Sequence, residues 1–528
     1  MSTNVAFQLA QKLKQSPTKI AEEIKKAVKN TSITKITTAG GGFLNFWLSE
    51  DLLRQSAIDV NSATGVYGHN NSHQKQQFVV EYSDPNPFKG LHVGHLYTSV
   101  VGDAIANLLE ASGAIVHRVN FGGDVGLHVA KALWGILAKL GGEKPQELSK
   151  ITPQDQIAWV SEAYVAGAKA YKADDSAKIA IEKINQQIYA IHAAGDKQSA
   201  LAQIYWTVRE WSYRYFDAFY EQIGSGFEKY YPESATAPAG ERTVKEQLKA
   251  GVFERSDGAI IFDGEKHGLH RRVFITSQGL PTYEAKDIGL ALTKWADYHF
   301  DKSIIITGND ITEYMKVVLK AIEQFEPEIA KRTVHITHGM VKLAGTGKMS
   351  SRAGNVLPAE EVLEATGQAN QAANPESDEQ IALGAVKYAF LKSQIGGDII
   401  FSPTESVSLH GNSGPYLQYT HARAHSVLRK AGANSGKIGT SPLNAPERTL
   451  LLQLGQFPEV VETAAASYEP HQVATYLYEL AQQFNLFYQG TRIIGSEAEV
   501  FRLDLTQAVA TVLKNGLSLL GIVAPNRM

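Results

Sequence analysis

Residues 78 to 111 tie the chain to one local geometry. Phe78 to Tyr82 is a short apolar run of the kind that forms a buried strand. It passes directly into Ser83-Asp84-Pro85-Asn86-Pro87-Phe88-Lys89-Gly90-Leu91, where two prolines and a glycine exclude regular structure. His92-Val93-Gly94-His95 then opens a helix that reaches Ala111, and Ile115 to Phe121 reads as the next strand. Strand, loop, helix and strand make the unit from which parallel sheets are wound. A helix start offers unpaired N–H groups and a positive dipole end, which favour phosphate. Gly94 has no Cβ to keep a planar base or ribose off the backbone. His92 and His95 stand at that helix start, where imidazole N–H groups can donate to phosphate.

The rhythm continues downstream. Ala259 to Phe262, Arg272 to Thr276, Ser303 to Thr307 and Val334 to Thr337 read as strands, with helices at Ile288 to Trp295 and Ile311 to Phe325. Alternation of this kind predicts an α/β body, a doubly wound parallel Rossmann-like sheet over residues 76–384. A mostly helical stretch at about 140–255, including Leu201 to Ile223, reads as an insertion into that fold. Before the body, Val5, Leu9, Leu13, Ile20, Ile24 and Val28 fall at helical spacing, and Ser16-Pro17 splits the run into two helices. With the β-like segment Phe43 to Leu48 they predict a small α+β N-terminal domain over 1–75, closed by a polar linker at 61–77. A second polar stretch, Thr366 to Gln380, precedes an all-α C-terminal domain over 385–528.

Composition removes several classes of chemistry. The chain of 528 residues has no cysteine, which excludes disulfides, thiol nucleophiles and thiolate zinc sites, so no protein-bound zinc is expected. The net charge of −3 leaves any nucleic acid to local basic patches. Residues 1–75, with nine Lys/Arg against five Asp/Glu, are one such patch. No apolar run suits a membrane span or a secretory signal, so a cytoplasmic location and no membrane partner are expected.

His92-Val93-Gly94-His95 and the later Gly347-Lys348-Met349-Ser350-Ser351 together resemble the two ATP-binding signatures of a class I aminoacyl-tRNA synthetase. The second loop supplies Lys348 as a mobile charge and the hydroxyls of Ser350 and Ser351, between glycines at 345, 347 and 354 that suit a closing loop. A Walker A loop is excluded, because position 342 is Lys and Met349 follows Lys348. His267/His270 and His335/His338 repeat a His-x-x-His spacing, but no H-E-x-x-H accompanies them and no metal site is assigned.

The stretch Glu81-Tyr82-Ser83-Asp84-Pro85-Asn86, Lys89 and Leu91 to Leu96 resembles the V-E-[FY]-S-x-P-N…K-x-[LM]-H-x-G-H-L block of arginyl-tRNA synthetases. Gly102-Asp103-Ala104, Arg118-Val119-Asn120 with Gly123-Asp124-x-Gly126, and Pro281-Thr282-Tyr283-x-x-x-Asp287-Ile288 continue the likeness over nearly the whole chain. A guanidinium is planar, permanently charged and rich in donors, so its pocket needs carboxylate and carbonyl acceptors. The resemblance implies that Asp287 pairs with it, that Tyr283 lies beside it, and that Glu81, Asp84, Asn86, His95 and Asp124 complete the arginine site, with Asp310 as a further candidate. Alone, Asp287 before an apolar periodic run reads as a helix cap, and the surrounding motif reverses that preference. For ATP it implies His92, Gly94, His95, Met340, Lys348, Met349, Ser350 and Ser351, with His92, His95, Lys348 and Lys89 in catalysis. The chain departs from the family at Tyr97, where Arg is common, and at Val125 and His128, where Trp and Gln are common.

Tyr416 to His425 resembles the entry to the family's anticodon-binding domain, with Gln418, Tyr419 and Arg423 as candidates for tRNA contact. Gly42 to Phe46 resembles an element of the N-terminal tRNA-binding domain, in which Phe43 and Phe46 read as core. The expected reaction is ATP- and Mg²⁺-dependent ligation of L-arginine to arginine tRNA by a monomer, through an adenylate, with the tRNA needed for the first step. A catalytically silent tRNA-binding paralogue and a small-molecule nucleotidyltransferase are the alternatives. The first has no need of His92, His95 and Lys348, and the second has none of the C-terminal element.

Overall fold

The computed structural model describes residues 2–344, 357–373, 379–432 and 442–528. Five parallel strands form the central sheet in the order Thr333–His338, Lys302–Gly308, Gln77–Glu81, Ile115–Gly122, Lys229–Pro232. The middle strand comes first in the chain. The winding runs outward to one side, then returns to build the other, so its direction reverses between Gln77–Glu81 and Lys302–Gly308. Loops leaving such a reversal part in opposite directions and open a crevice at the carboxyl ends of the strands. Side chains of the first strand alternate between two cores. Phe78 and Val80 meet the helix Val93–Ala111, and Val79 meets the group that includes Ile288, Val317 and Ile305.

Helix Val93–Ala111 is buried almost all round, because helices of the C-terminal domain cover its outer face. Its Gly102 is required by close packing: a Cβ there would stand 2.2 Å from the ring of Tyr82, the residue that follows the first strand.

Three expectations about the catalytic body and the linker after it need correction. Ala259–Phe262 and Arg272–Ile275 are not in the parallel sheet; with Glu254–Ser256 they form a separate antiparallel sheet. The turn Asp257-Gly258 has positive φ at both residues, 46° and 81°, which folds the chain back as a hairpin instead of a crossover. The helical insertion is also smaller than 140–255. Lys229–Pro232 is the edge strand of the main sheet, and helix Glu233–Lys249 packs on helix Tyr283–Tyr298. The insertion proper is Gln156–Ala173, Asp175–Ala194 and Ala200–Ile223, packed on Leu127–Leu140 around Leu133, Ile136, Val160, Ile181 and Tyr205. Finally, the linker expected from Thr366 begins as helix Ala359–Ala373, in which Thr366 is buried and donates to the carbonyl of Val362 at 2.7 Å.

At the N-terminus, helices Val5–Leu13 and Pro17–Ala27 pack on an antiparallel sheet of Ser2–Thr3, Phe43–Leu48 and Ile33–Ala39. Ser16 caps the second helix by accepting from the N–H of Lys19. Phe46 packs against the small core there, but Phe43 is 42% exposed and is not a core residue. The expected 1–75 unit divides physically, since helix Glu50–Ala63 turns away and docks on the C-terminal helices Ala445–Ser467 and Glu499–Leu519. Leu53, Ala57 and Val60 enter that core, Glu50 meets Arg448 at 2.8 Å, and Asn61 donates to the carbonyl of Asp504 at 3.0 Å.

Candidate active site

The helix start at the sheet's reversal is built from its own histidines. His92 is the N-cap of Val93–Ala111 and its Nδ1 accepts the N–H of Gly94 at 3.1 Å, while Nδ1 of His95 accepts the N–H of His92 at 3.0 Å. The ring centroids are 3.7 Å apart. With each Nδ1 committed as an acceptor, the proton of the neutral imidazole sits on Nε2, and two N–H donors are left for a ligand. Burial, reinforced by Lys89 and His338, pushes His92 down to about 4. Burial, His92 and Lys89 hold His95 well below the ordinary value. Both rings are therefore neutral donors at physiological pH. Burial also lowers the Lys89 ammonium. Gly94 has an internal reason that the sequence reading did not contain: a Cβ there would lie 2.8 Å from Cε1 of His92, whose ring folds back over the backbone.

Lys348, Met349, Ser350 and Ser351 lie outside the described residues. The chain that flanks them is anchored. Val341–Leu343 pairs with Ile399–Phe401 on one side. On the other, the N–H of Val93 donates to the carbonyl of Leu357 at 2.9 Å, and that of Ala359 to Leu91 at 3.1 Å. The residues just after the second signature loop are thus bonded to both sides of His92.

The loop that leads into this helix start carries one of a cluster of carboxylates, Glu81, Asp84 and Asp287. Ser83 and Asp84 have φ of 71° and 47°, an uncommon conformation for consecutive non-glycine residues and one that functional loops retain despite its cost. Asp84 Oδ1 accepts the N–H of Phe121 at 2.8 Å. Burial, with Glu81 and Asp287 nearby, holds its carboxyl well above the usual range. Asp287 stands in helix Tyr283–Tyr298, past the capping positions, and accepts from the hydroxyl of Tyr314. Burial is the main reason its pKa is pushed up to about 7; Tyr314 and Lys294 oppose the rise, and Glu81 and Glu233 add to it. Asp84 and Asp287 make no salt bridge with a protein cation among the described residues, which is the condition a permanently charged guanidinium relieves.

Two expected arginine ligands are each paired with a protein cation. Glu81 is ion-paired with Lys294, which also donates to Ser303 Oγ at 3.1 Å. Asp124 is fully buried and holds Nε of Arg209 at 2.9 Å and the N–H and hydroxyl of Ser234 at 2.8 and 2.7 Å. Asp124 has partners on both oxygens, whereas among the described residues Glu81 is bonded through Oε2 alone. Asn86 lies against Gly123, where a Cβ would come within 2.1 Å of its Oδ1.

Tyr283 is 50% exposed at the mouth, and its hydroxyl meets Nδ1 of His128 at 3.0 Å. Nε2 of His128 donates to the carbonyl of Gly123 at 2.6 Å. Burial is the main cause that pushes His128 down to about 3, so the neutral ring offers one donor and one acceptor, as a glutamine amide does. Tyr97 is buried edge-on to His338 at 4.5 Å, and Val125 enters the core of the insertion.

Asp310 is exposed just beyond strand Lys302–Gly308, at the carboxyl edge. Met340 follows strand Thr333–His338 and donates its N–H to Asp398 Oδ1 at 2.8 Å. The paired histidines are separately employed: His335 meets Thr307 Oγ1 at 2.7 Å, His338 donates to Gly339, and His267 stacks on Phe262. Among the described residues no three His, Cys, Asp or Glu side chains gather as a metal site.

A basic groove of about 750 Å³ marks the C-terminal domain, lined by Tyr419, Arg423, Arg429, Lys430, Arg492 and Arg527 among others. The Arg423 guanidinium lies 4.7 Å from the ring of Tyr419 and 5.2 Å from that of Tyr488. Gln418 is a correction: it is 0% exposed and cannot touch RNA here. Its Nε2 donates to the carbonyl of Val523 at 2.8 Å, as His421 does to Pro525 and Arg429 to Asn526, both at 2.8 Å. Three side chains of helix Gly414–Ala431 thus clasp the segment that brings Arg527 and Met528 to the groove wall.

The sheet order, with a capped His-x-Gly-His helix at the reversal and Leu357 and Ala359 bonded to either side of His92, is the framework of a class I aminoacyl-tRNA synthetase. Family models described as arginyl tRNA synthetase N terminal domain, tRNA synthetases class I (R) catalytic domain and DALR anticodon binding domain match residues 1–48, 59–402 and 417–528. An arginine–tRNA ligase of Porphyromonas gingivalis is 31% identical over all of this chain and 93% of its own length, and one of Flavobacterium psychrophilum is 32% identical over 95% and 88%. The solved arginyl-tRNA synthetase of Thermus thermophilus is 26% identical, with a TM-score of 0.81 over 99% of this chain and 93% of that one. The chain belongs to the arginyl-tRNA synthetase family.

Proposed function

We propose that this chain is an arginine–tRNA ligase that works in two steps. A carboxylate oxygen of L-arginine attacks the α-phosphorus of ATP and pyrophosphate leaves; the 2′-hydroxyl of the terminal ribose of arginine tRNA then attacks the arginyl carbonyl and AMP leaves. The observation that carries this reading is the meeting of the His92–His95 helix start, the segment at Leu357 and Ala359 bonded beside it and the Asp84–Asp287 carboxylates at one reversal of the sheet. The Nε2–H groups of His92 and His95 donate to phosphate oxygens, and Lys89 and Lys348 supply charge as the bond to pyrophosphate breaks. Gly94, Met340, Met349, Ser350 and Ser351 complete the ATP site. Asp287 and Asp84 take the guanidinium, Tyr283 and Asn86 flank it, and Asp310 lies at the rim. Mg²⁺ enters with the ATP phosphates, which with water fill most of its shell. Residues 1–75 and the groove at Tyr419 and Arg423 are assigned to tRNA, and the working form is a cytoplasmic monomer.

Arginine-dependent ATP–pyrophosphate exchange, with and without arginine tRNA, tests the reading. Exchange confined to arginine and dependent on tRNA is expected; no exchange with tRNA present overturns it, and both alternatives predict that failure. The pH dependence is a separate expectation. Asp287, pushed up to about 7, must be ionised to pair with the guanidinium. The KM for arginine is expected to be flat above pH 8 and to rise about tenfold per unit as pH falls below 7. With His92 already near 4, the KM for ATP should stay level over that window. A parallel rise of both constants rejects the role of Asp287.

A further inference from the structure

Two helices of the insertion hold the loop before His92 by its backbone. Ser212 Oγ accepts the N–H of Phe88 at 3.0 Å, Ser161 Oγ accepts that of Gly90 at 2.9 Å, and the Tyr215 hydroxyl accepts that of Leu91 at 3.2 Å. Ser161 stands in Gln156–Ala173, while Ser212 and Tyr215 stand three apart on one face of Ala200–Ile223. Ser212 gives its own proton to the carbonyl of Val208 at 3.0 Å, which turns its lone pairs toward the loop. Lys89, between the held residues, makes no ion pair among the described residues, and burial alone lowers its ammonium. A desolvated cation with no carboxylate beside it is placed by the backbone that carries it. This one is near enough to His92 and His95 to lower both.

Tyr215 does more than receive one N–H. Its own proton goes to Glu360, in the first turn of helix Ala359–Ala373. The N–H of Ala359 in turn donates to the carbonyl of Leu91 at 3.1 Å. Both backbone groups of Leu91 are therefore tied to residues 359 and 360, the carbonyl directly and the N–H through one phenol oxygen. Because Leu91 directly precedes His92 and lies two residues after Lys89, a shift in this closed link displaces both side chains together. The ring of Tyr215 packs against the main core and lies 5.7 Å from that of Phe216, so it has apolar support that does not depend on the hydroxyl.

We propose that Tyr215 is a positioning residue for adenylate formation: through Leu91 and Glu360 its hydroxyl fixes the loop that carries Lys89 and His92 against the segment at 357–360. The proposal rests on the ligase reading for the step it serves. In the full chain, Tyr215→Phe is expected to slow single-turnover adenylate formation by about 10- to 100-fold at saturating arginine, ATP and tRNA, the cost of displacing reacting groups by about 1 Å, while the KM for arginine changes little. Glu360→Ala is the second variant and should also be slow; Glu360→Gln, whose amide oxygen still accepts the phenol proton, should keep most of the rate. Tyr215→Phe combined with Glu360→Ala should be no slower than Tyr215→Phe, because the two changes break one link. Amide hydrogen exchange over residues 88–93 is a readout that needs no activity, and the Leu91 amide should exchange faster in Tyr215→Phe. A Tyr215→Phe protein that forms adenylate at the unaltered rate, or a double variant whose losses multiply, refutes the role. Failure of arginine-dependent ATP–pyrophosphate exchange in the unaltered protein refutes the ligase reading instead. The Leu91 amide still decides the link in that case, since faster exchange in Tyr215→Phe upholds it and unchanged exchange refutes it.

Discussion

Replacing His92 with alanine is expected to slow arginyl-adenylate formation by about 10²- to 10³-fold, the usual cost of one preorganised donor to a charge that develops during reaction. The expectation comes from the division of labour within the ring. Nδ1 caps the helix by accepting the Gly94 N–H, so only Nε2–H is left for phosphate. Alanine removes both functions, and loss of the cap costs about 1 kcal/mol of stability. His92→Asn separates them: asparagine caps helices well but cannot reach the place of Nε2. Single-turnover adenylate formation at saturating arginine, ATP and tRNA should therefore be slow in both variants, while thermal unfolding should fall only in the alanine variant. An asparagine variant that reacts at the unaltered rate removes His92 from the chemistry.

Asp287→Asn is expected to raise the KM for arginine by about 10- to 150-fold, the equivalent of one hydrogen bond to a charged group, with little change in the KM for ATP. Its effect on stability should have the opposite sign. A carboxyl whose pKa is higher in the folded than in the unfolded state loses folding stability as pH rises through the folded value, here about 7. The amide carries no charge to be repelled by Glu81 and Glu233, so the variant should unfold at a higher temperature than the parent at pH 8 and lose that advantage toward pH 5. Equal damage to arginine and ATP binding, or a variant that is less stable at pH 8, would place Asp287 in the framework and not at the substrate.

The strand–loop–helix at 78 to 111 was legible because periodicity, prolines and the His-x-Gly-His string agree on one local structure. Tertiary partners were not legible. Lys294 and Arg209 pair with Glu81 and Asp124 across long sequence separations and carry no motif of their own, so the cations beside these two carboxylates could not be read from the chain. His128 looked like a defect in a motif, and only its bonds to Tyr283 and Gly123 give it a place. Gln418 sat correctly on the helix beside the groove but on its inner face, a matter of helical phase that the clasped segment after 520 decides. The hairpin at 254 to 275 was misassigned because short apolar strands have the same composition in parallel and antiparallel sheets. The one local discriminator, Asp257-Gly258, lay in plain view.

Helix Glu50–Ala63 sets a clock on biosynthesis. It belongs to the first eighth of the chain, yet Leu53, Ala57 and Val60 are covered by helices that begin at residue 445, and the bond from Asn61 to Asp504 spans 443 positions. At about 5 to 20 residues per second, a ribosome needs about 20 to 90 s to supply the partner surface. Through that interval the apolar stripe of this helix faces water or a chaperone. The N-terminal segment can fold early, but its connection to the rest of the molecule closes only when the chain is nearly finished, so the nascent protein stays open to holdases and proteases for almost the whole of its own translation.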